Sequence, residues 1–294
     1  MSSLPDFASL FDRPVIVLAA PRSGSTLLFE TLAQARNAWT IGGESHHVIE
    51  GIPALSPNSG QIDSNRLDAS HASEQVVSLV RRRFARQLRD RDGRDFVHGA
   101  ETRQLRFLEK TPKNALRVPF MESVFPDALY IVLFRDVRAN LSSMMEAWRA
   151  RRWITYPRLP GWQGPPWSLL LPPGWSEMNG SSLARICAFQ WESANRILLD
   201  DLQKIPGHRW TAARYESLLD EPQQTIQSLC EFAGLEMDER LRNRLQKPLP
   251  LSRLTHTAPA ADKWRKNETE IESVLPFLEA IESRMAVAGY RRSD

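Results

Sequence analysis

The chain has 294 residues, 42% of them apolar and 25% charged, and a net charge of +3 at neutral pH. This length and composition exclude a disordered or fibrous chain and suit a globular protein with a sizeable core. So small a net charge argues against a protein whose main work is to neutralise a nucleic-acid backbone, and no nucleic-acid partner is expected. No compositional join divides the sequence, so one domain over residues 1–294 is the expectation. Cys187 and Cys230 lie in separate apolar helical patterns, with no second cysteine or histidine at metal-ligand spacing. They read as buried free thiols in a reducing compartment, with no metal site. Met1 to Arg13 lacks a basic stretch leading into an apolar run, and nowhere are there about 18 consecutive apolar residues, so a cytoplasmic protein without a transmembrane segment is expected.

The first element is the β-branched run Val15 to Ala19, which suits a strand buried on both faces. Pro21 ends it. Arg22-Ser23-Gly24-Ser25-Thr26 follows, and then Leu27, Leu28, Thr31, Leu32 and Ala35 at the spacing of one helix face. Weaker strands are predicted at Trp39 to Ile41, Arg106 to Glu109 and Arg209 to Arg214. Arg81, Arg82, Arg83 and Arg86 fall in a helical stretch with Val76, Val77, Leu79, Val80 and Phe84 and read as a solvated helix face. Leu129 to Phe134 is a second strong strand, ended by Arg135 and followed by a helix through Ala139 to Trp148. Short apolar strands alternating with longer helices predict a parallel sheet with helices on both faces, an architecture that binds ligands at the carboxyl ends of its strands.

Residues 153–175 break this pattern with six prolines, three glycines and four tryptophans, which exclude a regular helix or an interior strand. A loop of this length and apolar content reads as a flap over an acceptor site, with a structural wrap over the core as the alternative. Two helices follow. One carries Leu183, Ile186, Cys187, Gln190, Trp191, Ala194, Ile197 and Leu198 on one side, and the other runs from Thr225 to Ala233 and is closed by Gly234.

A strand, a Gly/Ser turn and a helix start form a ready anion site, because the leading amides and the helix dipole face one point. In a kinase-type P-loop, GxxxxGK[ST], a lysine stands directly before the Ser/Thr. Here Ser25 holds that place, and the cation is Arg22 at the start of the turn. Nucleoside-triphosphate chemistry is disfavoured accordingly.

PRSGSTLL after one strand and LFRDVRANLSS after a later one resemble the paired signatures of the sulfotransferases that use 3′-phosphoadenosine 5′-phosphosulfate (PAPS). The resemblance implies an α/β, P-loop-like three-layer fold with a central, mostly parallel sheet flanked by helices. It also implies PAPS as co-substrate, released as 3′-phosphoadenosine 5′-phosphate (PAP). Under it, Arg22, Ser23, Gly24, Ser25 and Thr26 cradle the 5′-phosphosulfate, while Arg135 and Ser143 take the 3′-phosphate. Arg22 stands at the bridging oxygen, where many members have lysine and the bacterial and Golgi-like branches have arginine. A sulfuryl group in transit carries less charge than a phosphoryl group, so fixed cations and N–H donors can serve without a metal.

Glu109 to Asn114 resembles the family's central segment, in which Lys110 reaches the sulfuryl oxygens. The small-molecule branch has its histidine base two residues on, where this chain has Pro112. The base is therefore sought in Glu44-Ser45-His46-His47. Glu44 is favoured, with a pKa raised by an apolar pocket, and His46 or His47 is the runner-up. Lys263, Trp264, Arg265 and Lys266, after a stretch with Pro248, Pro250 and Pro259, resemble the late basic loop that closes over the nucleotide. Tyr215 begins a segment like the family's YEDL motif, whose tyrosine approaches the nucleotide.

The resulting expectation is an O-sulfotransferase with an apolar acceptor: a small molecule, a lipid or a carrier-bound polyketide chain, since polyketide-associated sulfotransferase domains resemble this chain in their Pro/Trp-rich insert. The alternatives are a magnesium-dependent kinase and a non-catalytic binder on the same scaffold. An exposed apolar flap could serve either substrate or a second subunit, which leaves a homo-oligomer open.

Overall fold

The computed structural model of the chain describes residues 7–96, 105–253 and 260–289. In chain order its principal elements are β1 (Val15–Leu18), α1 (Ser25–Leu32), β2 (Ala38–Trp39), α2 (His46–Ile49), α3 (Glu74–Ala85), β3 (Arg106–Lys110), α4 (Val118–Val124), β4 (Leu129–Phe134) and α5 (Val137–Arg149). There follow β5 (Ile154–Tyr156), β6 (Trp167–Ser168), α6 (Leu183–Leu202), β7 (Trp210–Arg214), α7 (Tyr215–Asp220) and α8 (Pro222–Ala233). Pro259 lies outside the described residues.

Five parallel strands pair in the order β2-β3-β1-β4-β7. The strongest apolar runs, β1 and β4, are buried along their whole length at the centre, and β7 is the half-buried edge. Alternation along the strands divides the core. Ile16, Leu18, Tyr130, Val132 and Phe134 face the layer that holds α3 to α6, whereas Val15, Val17, Ile131 and Leu133 face α1 and α8. This is the three-layer α/β arrangement expected from the alternation of strands and helices. Both cysteines are buried free thiols, Cys187 in the first layer and Cys230 in the second.

The differences from expectation have local causes. At β2 the ladder stops after Trp39, because Thr40 pairs with Arg89 instead and Gly42 turns the chain at φ 74°. Helix α5 starts at Val137, where the Asp136 carboxylate accepts a hydrogen bond from the Ala139 amide at 2.9 Å. Helix α8 starts three residues earlier than predicted, at Pro222, a residue suited to the first helical turn. Gly234 closes it at φ 62°. The arginines of α3 are not simply a solvated face. Arg81 donates to the Val124 carbonyl, and Arg83 donates to the carbonyls of Val48 and Gly51.

The flap also differs from expectation. Residues 154–156 and 167–168 form a two-stranded antiparallel ribbon, and Trp167, Leu170, Leu171 and Tyr156 are buried. Trp162, Trp167 and Trp175 pack edge to face, so most of the apolar content of this segment joins the core and is not an exposed surface. Buried polar groups stitch it down. Gln190 of α6 donates to the carbonyls of Ser168 and Leu170, and Asn65 pairs with both backbone groups of Leu171 while donating to the Tyr156 hydroxyl. Asn65→Ala leaves the buried Leu171 amide without its partner and is expected to lower stability by about 1–3 kcal/mol, read from urea denaturation midpoints.

Candidate active site

The carboxyl ends of all five strands open onto one cavity of about 610 Å³. The segment after β1 supplies Arg22, Gly24, Ser25 and Thr26. Beyond β2 come Glu44 and His46, beyond β3 Lys113, beyond β4 Arg135, and beyond β7 Tyr215. Among the described residues these meet Ser143 of α5, Lys263, Trp264 and Lys266 from the 3₁₀ turn Ala261–Asn267, and an apolar wall of Trp153, Ile154, Leu169 and Leu170.

The turn after β1 contains two left-handed residues, Arg22 at φ 65° and Gly24 at φ 91°. Gly24 is required on two counts. Its φ suits glycine, and a Cβ there would stand 2.2 Å from Cδ2 of Tyr215. Arg22 has no such exemption and carries a backbone cost of about 1–2 kcal/mol. The conformation turns its guanidinium over the Trp153 ring, 4.4 Å from the centroid, with Nε donating to the Ser143 hydroxyl. Among the described residues no side chain caps α1, so its leading amides are left for an anion in the cavity.

Lys110, 1% exposed, reaches this turn from β3. Its ammonium donates to the Thr26 hydroxyl at 3.0 Å and to Oε1 of Glu44 at 2.5 Å, and Oε2 of Glu44 accepts from Nε2 of His46 at 2.8 Å. Burial alone would raise the Glu44 carboxyl, but the His46 hydrogen bond together with the Lys110 charge outweighs it and holds the group at about 2. The expected upward shift is thus reversed, because the pocket beside Glu44 is cationic as well as apolar.

Arg135, at the end of β4, donates to the Arg22 carbonyl at 2.9 Å and lies 4.7 Å from the Tyr215 ring centroid. Burial lowers its pKa, and its Nε is buried without a partner among the described residues. Arg135 lines the cavity, where its guanidinium offers an anion charge-assisted hydrogen bonds. Asn267 donates to the Ser142 hydroxyl at 2.8 Å, and Lys266 pairs with Glu146 at 2.7 Å, which together hold the late basic segment against α5.

The model of the Sulfotransferase family matches residues 14–239, well over half of the chain. The chain belongs to the sulfotransferase family. Protein-tyrosine sulfotransferase A of Caenorhabditis elegans is 21% identical over 79% of this chain and 52% of its own length. Protein-tyrosine sulfotransferase 2 of Gallus gallus is 22% identical over 78% and 53%. The chain therefore spans about half the length of these curated relatives. Among solved structures, the sulfotransferase domain from the curacin biosynthetic pathway aligns with a TM-score of 0.46 at 17% identity, covering 90% of this chain and 99% of that one. The corresponding domain from the Synechococcus PCC 7002 olefin synthase gives 0.46 at 21% identity, covering 90% and 95%.

Within this chain, most of the residues singled out from sequence line the cavity, but four do not: Lys110 lies behind Thr26 with its ammonium on that hydroxyl, and the others are His47, Arg265 and Ser23. His47 turns to Gln87, with 2.6 Å between Nε2 and Oε1, and so drops out as a candidate base. Arg265 is spent on Asp262 and Glu268 at the surface. Ser23 is 1% exposed and donates to Asn140, which makes it a support of the turn rather than part of its lining.

Sequence reasoning missed the layer behind the site. Glu109 is buried and accepts hydrogen bonds from Ser45, Thr111 and Asn114, which locks the Glu44 loop to β3. Glu50 pairs with Lys113 and Arg117; burial favours its neutral form, but the two cations hold it at about 2, while burial brings Lys113 down to about 8. Nothing in the chain's order marks these partners, which lie 63 to 67 residues apart. Because Glu44 and Glu50 both sit well below the ordinary 4.5, their contribution to stability is complete above that value and is lost as pH falls toward 2. The urea midpoint is expected to fall between about pH 5 and about pH 3, and Glu44→Gln to make that fall shallower.

Proposed function

We propose that this sulfotransferase acts as one domain and transfers a sulfuryl group from PAPS to a hydroxyl of a partly apolar acceptor, releasing PAP. One observation carries the reading: the start of α1, Arg22 and Arg135 line one cavity together with Trp153, Ile154, Leu169 and Leu170, and Lys110 stands directly behind Thr26. Arg135 on the cavity wall and the start of α1 suit the two phosphates of PAP, and the ring of Tyr215 against Gly24 closes the cradle. When bound, PAPS supplies a sulfuryl group already activated by its phosphate leaving group. The cations and amides of the chain are placed to stabilise the charge that collects there.

In this reading Arg22 and Lys110 bracket the reacting centre, Arg135 and Ser143 hold the 3′-phosphate, and Lys263 and Lys266 add positive charge from the late segment. Glu44 takes the acceptor's proton at Oε1, the oxygen that otherwise accepts from Lys110. Its low pKa is made by Lys110 and His46 together, so an anion that draws the Lys110 ammonium away lets burial raise the carboxyl toward the range a base needs. His46, hydrogen-bonded to Oε2, orients Glu44 and stands second as the base.

With most tryptophans of the flap committed to the core, the acceptor's apolar contact narrows to Trp153, Ile154, Leu169 and Leu170, which suits a small apolar molecule or the end of a lipid or carrier-bound acyl chain. The kinase alternative is weaker, since the Thr26 hydroxyl that a P-loop turns to magnesium here accepts from Lys110.

Calorimetric titration with PAP in excess EDTA, with ATP as competitor, tests the donor. Tight binding that ATP does not displace is expected, and no binding, or a preference for magnesium-ATP, contradicts the proposal. Arg135→Ala should abolish most of that affinity. Glu44→Gln should keep PAP binding while turnover of PAPS falls about a hundredfold; unchanged turnover would move the base to His46.

A further inference from the structure

The left-handed Arg22 is gripped on both sides by one side chain that touches nothing in the cavity. Asn140, in the second turn of α5, is fully buried. Its Nδ2 donates to the Pro21 carbonyl at 2.8 Å, and its Oδ1 accepts from the Ser23 hydroxyl at 2.7 Å and from the Trp191 indole at 3.2 Å. Two donors on Oδ1 and an acceptor at Nδ2 fix the orientation of the amide, and only an amide meets both demands. Aspartate would set a carboxylate oxygen against the Pro21 carbonyl, and leucine would leave all three groups unpaired.

We propose that Asn140 is the positioning residue of the donor site: by clamping residues 21 and 23 it holds Arg22 in its left-handed conformation, and through it the Arg22 guanidinium and the leading amides of α1. Arg135 adds the central point of the grip at the Arg22 carbonyl. The same clamp reaches the acceptor wall. Trp191, which donates to Asn140, stands beside Gln190 on α6, and Gln190 holds the carbonyls of Ser168 and Leu170. The turn and the flap are thus both tied to adjacent residues of α6, Trp191 through Asn140 and Gln190 through the flap carbonyls. The proposal rests on the PAPS reading for its ligand but not for its geometry.

Three variants separate positioning from simple stability. Asn140→Asp removes the donor to Pro21, Ser23→Ala removes one arm of the clamp, and Trp191→Phe removes the indole donor while leaving both arms in place. Hydrogen exchange at the Leu27 and Leu28 amides, which bond to the Gly24 carbonyl at the end of the turn, and calorimetric affinity for PAP are measured beside the melting temperature. Faster exchange at these amides and PAP affinity weakened about tenfold or more are expected for Asn140→Asp and Ser23→Ala. Trp191→Phe should lose melting temperature yet keep this exchange and PAP affinity within about twofold. If PAP affinity and this exchange follow melting temperature across all three variants, or do not change in Asn140→Asp, the positioning role is wrong. Should the unmodified protein bind no PAP, the donor assignment fails by itself, and the exchange pattern still decides whether Asn140 holds the turn.

Discussion

The left-handed turn after β1 is the constraint on which the site depends. A non-glycine residue at φ 65° persists only where its surroundings over-determine it. Here they do so from several elements: Asn140 and Arg135 hold the backbone of residues 21–23, Ser143 and Trp153 hold the Arg22 side chain, and the ring of Tyr215 fills the space that a side chain at position 24 would need. Those partners come from β4, α5, the ribbon and α7, so the turn is correct only once the sheet order β1-β4-β7 is complete.

The electrostatics follow from the same convergence. Strand carboxyl ends in a parallel sheet bring cations from separate segments together, and the chain answers them with a few half-buried carboxylates. Glu44 sits between Lys110 and His46, and Glu50 between Lys113 and Arg117. Such pairs contribute little net stability in place of an apolar core, because desolvation offsets most of the attraction. Their use lies in position: each fixes the direction of a cation beside the cavity.

The sheet was legible because β1 and β4 are short apolar runs ended by Pro21 and Arg135, a signal that needs no tertiary context. The edge strand β2 was less so, since its two residues form a strand only because β3 pairs with them. In the site, the residues in the motifs after β1, β3 and β4 could be named from order alone, and Arg22, Lys110 and Arg135 do reach one another's surroundings. What order could not carry was direction. His46 and His47 are neighbours in sequence, yet the short helix α2 sends one ring to Glu44 and the other to Gln87. The flap shows the same limit, for its tryptophans suggested a surface for substrate, whereas Gln190 and Asn65, neither remarkable in sequence, turn most of them into core.

The most direct measurement of the donor site is a crystal structure of the protein with PAP. The account predicts the 5′-phosphate on the leading amides of α1 beside Arg22 and Lys110, and the 3′-phosphate against Arg135 and Ser143. A nucleotide lying in the reverse sense, or bound outside this cavity, would contradict it.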